Sequence, residues 1–181
     1  LELGQRIYPY SADIQYLLAK AYKNLKDVTT AEQKLIIAAN LAPAYIDPAI
    51  DKLGLSPKNL TGAYYSVAWN NYYRGKFKQA DKRFKQYFTN GGKYYVAHNG
   101  NGLNKLYLKK YSEAESEFKK ALTVRKTTKG LEKLEYLDAE AYSGLGWAKY
   151  NQKNYPEAKK YFETALKKWP GYIKANSGLN T

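Results

Sequence analysis

The chain offers few groups able to do covalent or acid–base chemistry. His98 is its only histidine. It stands where Tyr64 and Tyr142 stand in a phrase that recurs along the chain, so it reads as a packed or hydrogen-bonded histidine rather than a catalytic base. There is no cysteine, which removes disulfides, thiol nucleophiles and thiolate metal sites. Gly100-Asn-Gly102 and Gly144-Leu-Gly146 invite comparison with phosphate-cradling loops. They lack the third glycine and follow no strand, so a close crossing of two helices is the better reading. No Ser/His/Asp set, paired-carboxylate motif or metal-ligand cluster is visible, and the expectation is a non-enzymatic chain with no cofactor and no metal. What the sequence has in quantity is 20 tyrosines, three tryptophans and a net charge of +14. Those side chains stack, cover surfaces and attract anions.

The elements that must position them are legible in a repeated phrase. Ala158-Lys-Lys-Tyr-Phe162-Glu-Thr-Ala165 matches Ala114-Glu-Ser-Glu-Phe118-Lys-Lys-Ala121 and Ala80-Asp-Lys-Arg-Phe84-Lys-Gln-Tyr87. Ala31-Glu-Gln-Lys-Leu35-Ile-Ile-Ala38 is a weaker copy. Tyr155, Tyr111, Phe77 and Val28 stand three places ahead of these four phrases. Each copy also has a first half, best seen in Ala141-Tyr142-Ser143-Gly144-Leu145-Gly146-Trp147-Ala148 and in Ala63-Tyr64-Tyr65-Ser66-Val67-Ala68-Trp69-Asn70. A fixed internal period marks a stacked-repeat protein.

A large residue, then Leu-Gly or its equivalent, then Ala-x-x-x-Phe, then the unit-ending prolines Pro43 and Pro170, resembles the tetratricopeptide repeat (TPR). The resemblance implies an all-α, right-handed superhelical solenoid of antiparallel helix pairs, with repeats at 12–45, 61–94, 95–128 and 139–172. Phe77 to Tyr111 is one family period, 34 residues. Val28 to Phe77 and Tyr111 to Tyr155 are longer, which predicts inserts at 46–60 and 129–138. The first insert could hold a short helix between Pro48 and Pro57. Residues 1–9 read as the end of a preceding repeat and 173–181 as the start of a further one, so the chain is expected to be a piece of a longer array. The third unit departs from the family pattern at Asn101 and Lys126.

Local chemistry points the same way. Ser112-Glu-Ala-Glu115 and Thr29-Thr-Ala-Glu32 have the spacing of capping boxes. Asn154-Tyr-Pro156-Glu157 places a cap, an early proline and an acid at a helix start. Gly75 and Gly91-Gly92 read as helix stops. No long period-two alternation appears, so no strand is expected, and no apolar run approaches the length of a membrane span.

In the resembled family, first helices line a concave groove. Carried over residue by residue, the groove candidates are Tyr16, Lys20 and Lys23, then Tyr65, Trp69, Tyr72 and Tyr73. Asn99, Leu103, Leu106 and Tyr107 follow in the third unit, and Ser143, Trp147, Tyr150 and Asn151 in the fourth. Trp69 and Trp147 match in register, which fits a shared packing role at least as well as binding. Residues 61–94 hold seven Lys or Arg against Asp81, a net +6. Most of that charge lies on second helices, whose outer side the family leaves to solvent. The leading expectation is a protein–protein interaction scaffold that takes a peptide or protein segment, acidic given the charge, in an aromatic groove. The alternative is a bacterial cell-envelope scaffold guiding an anionic polysaccharide during export. RNA or other polyanion binding ranks third. Localisation leans to the envelope or periplasm, with the cytoplasm open.

Overall fold

The computed structural model describes residues 2–180, and the outermost positions of the two terminal stretches, Leu1 and Thr181, lie outside it. Among the described residues the regular structure is helix only, with no strand. Two compact units form, one ending at Gly92 and one beginning at Lys93.

The first unit contains α1 (Glu2–Ile7), α2 (Ala12–Asn24), α3 (Val28–Leu41), α4 (Pro43–Ile50), α5 (Thr61–Tyr73) and α6 (Phe77–Thr89). The second contains α7 (Tyr95–Tyr107), α8 (Tyr111–Thr127), α9 (Ala139–Asn151), α10 (Tyr155–Lys168) and α11 (Ile173–Leu179). Single 3-10 turns at Pro57–Leu60 and Glu135–Asp138 lead into α5 and α9. The pairs α2/α3, α5/α6, α7/α8 and α9/α10 pack against each other most extensively.

One turn design joins every pair. Its middle residue is left-handed: Lys26 (φ 64°), Gly75 (φ 69°), Lys109 (φ 58°) and Lys153 (φ 62°). In each, the next N–H bonds to a carbonyl five residues back, as Lys76 does to Asn71 at 2.8 Å and Lys110 to Lys105 at 2.9 Å. This satisfies helix-end carbonyls that would otherwise lack donors. The stop at Gly75 is thus confirmed, as is the one after α6, where Gly91 has φ 94°. The other three stops use lysine where glycine would be relaxed.

Two sequence expectations shift. The capping boxes do not form at Ser112 and Thr29. α8 starts at Tyr111 with Ser112 already inside it, and α3 is capped by Asp27, whose carboxylate accepts from Thr30 N–H at 3.1 Å. A carboxylate two residues earlier reaches the free N–H groups first. The insert helix does not lie between Pro48 and Pro57. It is α4, which begins at Pro43 and carries Pro48 within it. Pro43 suits a first turn because its missing N–H would be unpaired there. Pro48 deprives Ala44 of a donor, and Ala44 is exposed to water that can replace it. At the third expected start, Asn154 caps α10 by accepting from Glu157 N–H, with Pro156 in the first turn.

The glycines explain how close the helices come. A Cβ on Gly102 of α7 would stand 2.7 Å from the Phe118 ring, and one on Gly144 of α9 2.3 Å from the same ring. The arrangement repeats one unit on: a Cβ on Gly146 would stand 2.5 Å from Phe162, and one on Gly178 of α11 2.3 Å. Phe118 and Phe162, each buried on a second helix, therefore fill seats made by glycines of two successive first helices.

Candidate functional site

Each insert is fastened by one buried arginine. In the first unit Arg83 of α6 is 5 % exposed. Its Nε donates to Asp47 at 2.5 Å, Nη1 to Asp51 at 2.8 Å, and Nη2 to the Asp47 carbonyl at 2.6 Å. The Tyr64 hydroxyl donates to Asp51 and Asn71 Nδ2 to Asp47. Burial, with the Asp51 carboxylate beside it, pushes the Tyr64 hydroxyl up to about 12. In the second unit Arg125 is 2 % exposed. It donates to both oxygens of Asp138 and to the carbonyls of Leu131 and Glu132. Buried charges survive only when paired and hydrogen-bonded this fully. No local sequence signal marks either arginine, because its carboxylate partners lie 13 to 36 residues away.

The largest aromatic grouping among the expected site residues is on α5. Trp69 stacks on Tyr73 with centroids 5.5 Å apart, and Tyr72 meets both edge-on at 5.8 and 5.4 Å. Tyr73 is 76 % exposed, so its outer face is free to be covered. The inner edge of Trp69 rests on Phe84 at 5.8 Å, and its buried Nε1 has no hydrogen-bond acceptor. Tyr65 packs on Tyr87 at 5.5 Å. On α2, the Tyr16 hydroxyl donates to the Ala49 carbonyl of α4 at 3.2 Å, so the insert helix lies against that position. Lys20 is exposed and Lys23 half-buried.

In the second unit the expected residues divide between surface and interior. Asn99 and Ser143 are buried; Asn99 Nδ2 donates to Glu140 at 3.2 Å, while Asn99 Oδ1 and the Ser143 hydroxyl are unmatched. Leu103 and Leu106 pack on the core around Phe118. Tyr107 is exposed. Trp147 rests edge-on against Phe162 at 5.4 Å, donates its Nε1 to the Lys174 carbonyl at 3.2 Å, and meets Tyr150 at 5.7 Å. The exposed Asn151 bonds the Trp147 carbonyl. Tyr150 also lines an open pocket of ≈ 480 Å³ with Tyr155, Lys159, Phe162 and Leu179.

His98 Nδ1 is 2.8 Å from Glu117 Oε2, and Lys120 bonds the other oxygen at 2.7 Å. Burial alone would raise the Glu117 carboxyl; these two partners outweigh it and bring it down to about 2. Lys78, Lys82 and Lys85 on α6, and Lys119 and Lys120 on α8, are all exposed. Among the described residues there is no group of three or more potential metal ligands, and no helix is long and apolar enough to cross a membrane.

Residues 139–172 match the tetratricopeptide repeat family. No curated protein matches the sequence. Solved structures do match. The second TPR domain of human RPAP3, in complex with the HSP70 peptide SGPTIEEVD, is 21 % identical; the match covers 69 % of this chain and 96 % of that one with a TM-score of 0.57. The N-terminal domain of stress-induced protein-1 from C. elegans is 17 % identical over 70 % of this chain and 98 % of its own, with a TM-score of 0.57. Pseudomonas aeruginosa pilF is 18 % identical over 93 % and 68 %, with a TM-score of 0.56. Residues 139–172 thus match one tetratricopeptide repeat directly, and the antiparallel helix pairs on both sides of Gly92 share the fold of the tetratricopeptide-repeat domains.

Proposed function

We propose that the chain is a non-enzymatic interaction scaffold that binds an extended, acidic peptide or protein segment along the aromatic face of α5. The observation that carries this is the Trp69–Tyr72–Tyr73 cluster, with Tyr73 largely exposed yet held by stacking. A ring already fixed in place loses little conformational freedom when a partner covers it, and aromatic anchors commonly dominate binding energy. The acidic character follows from the net +6 of residues 61–94. The peptide bound by the RPAP3 domain, SGPTIEEVD, is acidic too.

The test is a peptide-display selection on the purified chain, followed by calorimetric titration of the best peptide. Tyr73→Ala should weaken binding by about 2 kcal/mol and leave the helical circular dichroism intact. Lys78→Glu, Lys82→Glu and Lys85→Glu together should slow association and flatten its salt dependence, because exposed charges steer at long range and are screened by salt. If the tyrosine is silent while the lysines abolish binding, or if a polyuronate binds and no peptide does, the groove reading is wrong.

A further inference from the structure

Away from α5, the second unit holds a pocket of ≈ 270 Å³ walled by Tyr95, Tyr136, Trp169 and Tyr172, with Glu140 among its lining residues. The Tyr136 and Trp169 rings stand nearly perpendicular, at 84° with centroids 6.4 Å apart. Trp169 and Tyr172 lie 5.4 Å apart at 35°. Part of this wall does not come from the repeat. Tyr136 and Leu137 belong to the insert, beside Asp138, which Arg125 grips.

We propose that this pocket binds a methylated ammonium head group. Ring faces attract cations through their quadrupole when the charge lies within about 6 Å of the centroid, and several rings together are the usual means of holding a quaternary ammonium. Glu140 adds a carboxylate, which attracts a cation and repels the anions that the chain's net charge would otherwise draw in. The polar atoms favour a methylated head group over a bare one. A primary ammonium has three N–H donors to satisfy, and Glu140 Oε2 already accepts from Asn99. A methylated nitrogen has fewer donors or none, so aromatic walls do not leave them unmatched. Tyr172 helps keep the walls aromatic and uncharged, since burial and the neighbouring Glu140 oppose ionisation of its hydroxyl. Lys174 Nζ stands 3.8 Å from Glu140 Oε1 with its side chain 58 % exposed. That is too far for a hydrogen bond, and the lysine can swing aside for a ligand cation.

The same head group occurs in free quaternary amines and in trimethyl-lysine side chains. The experiment therefore titrates the intact chain with choline, with a short peptide carrying trimethyl-lysine, and with 3,3-dimethylbutan-1-ol, the uncharged shape-mimic of choline. Binding is read from the indole N–H resonances. We expect the Trp169 resonance to move with at least one cation, and the neutral mimic to bind roughly tenfold more weakly or worse. Whichever cation binds more tightly identifies the source. Glu140→Gln should weaken the cation by roughly tenfold, Trp169→Ala should remove the site, and Lys174→Gln should strengthen binding by taking away a competing cation. Equal binding of the mimic would overturn the proposal, as would indifference to Glu140→Gln in a chain whose circular dichroism is unchanged. Binding of glucuronate in place of either cation would also overturn it.

Discussion

Gly146→Ala sets two effects of opposite sign against each other. Replacing a mid-helix glycine with alanine favours the helix by about 1 kcal/mol. The new methyl, however, would stand 2.5, 2.6 and 2.9 Å from Cε1, Cδ1 and Cζ of Phe162. Ordinary contact needs roughly 3.5–4 Å, so the ring or α9 must move by about 1 Å. Phe162 is 1 % exposed, with Ala158, Ala165 and Ala175 in its core and Trp147 edge-on against it, so retreat into the open pocket beside it would cost these contacts. Overpacking of this kind costs about 1–3 kcal/mol. With three close contacts the upper end applies, and the net loss is about 2 kcal/mol. For a chain of this length that lowers Tm by about 4–8 °C. In a Phe162→Leu background the aromatic edge atoms are gone, so the same Gly146→Ala change should become stabilising by up to about 1 kcal/mol. The assay is a double-mutant cycle in urea, followed by circular dichroism and by the fluorescence of Trp147, whose ring lies 5.4 Å from Phe162. A Gly146→Ala effect of the same sign and size in both backgrounds would show that the glycine is not there for the ring.

Arg125→Ala should destabilise by about 3–5 kcal/mol, because it strands a buried carboxylate. Arg125→Met with Asp138→Leu should recover most of that loss in urea denaturation. Lys109→Gly should stabilise by roughly 0.5–1 kcal/mol, since relief of a left-handed conformation worth about 1–2 kcal/mol exceeds the extra freedom glycine gains in the unfolded chain, about 0.5–1 kcal/mol. Lys109→Ala, which keeps the Cβ, should change the urea midpoint little. Glu117 has a folded value of about 2, below the unfolded value of about 4.3. Its contribution, about 3 kcal/mol at most, should be complete above pH ~4.5 and disappear as pH falls towards ~2. Melting curves of Glu117→Gln should lack that acid-side loss.

The helix pairs were legible because the residues that define them are local. Ala-x-x-x-Phe and the preceding aromatic recur at fixed offsets, and the paired glycines at 100–102 and 144–146 imply close helix approach whatever the partner. The matched register of Trp69 and Trp147 carried information too, since both put an edge on the phenylalanine of their own unit, Phe84 and Phe162. The arginine fasteners were hidden among +14 of apparently solvated charge, because only tertiary contact distinguishes Arg83 and Arg125 from their exposed neighbours. The left-handed lysines were hidden for another reason. Chain reversal there is imposed by packing of the two flanking helices, which overrides the local preference for glycine. The span of α4 is not legible in the sequence because a proline can open a helix, as Pro43 does, or sit within one, as Pro48 does. Of the expected groove residues, Asn99 and Ser143 are inside the second unit, a distinction that a register-based assignment cannot make.

The glycine seats tie neighbouring helix pairs together. Phe118 is part of α8, yet its seat is completed by Gly144 of α9, and the seat of Phe162 is completed by Gly178 of α11. If α9 and α10 melt, one wall around Phe118 goes with them, and a ring that is fully buried when folded meets water. Exposing a side chain of that size costs about 1.5–3 kcal/mol. The penalty falls at the boundary between folded and melted repeats, as the coupling constant of a one-dimensional lattice does. Partial unfolding of the second unit is therefore disfavoured relative to losing it whole. Amide hydrogens of α7 and α8 should exchange at rates close to those of α9 and α10, although no peptide hydrogen bond joins the two pairs.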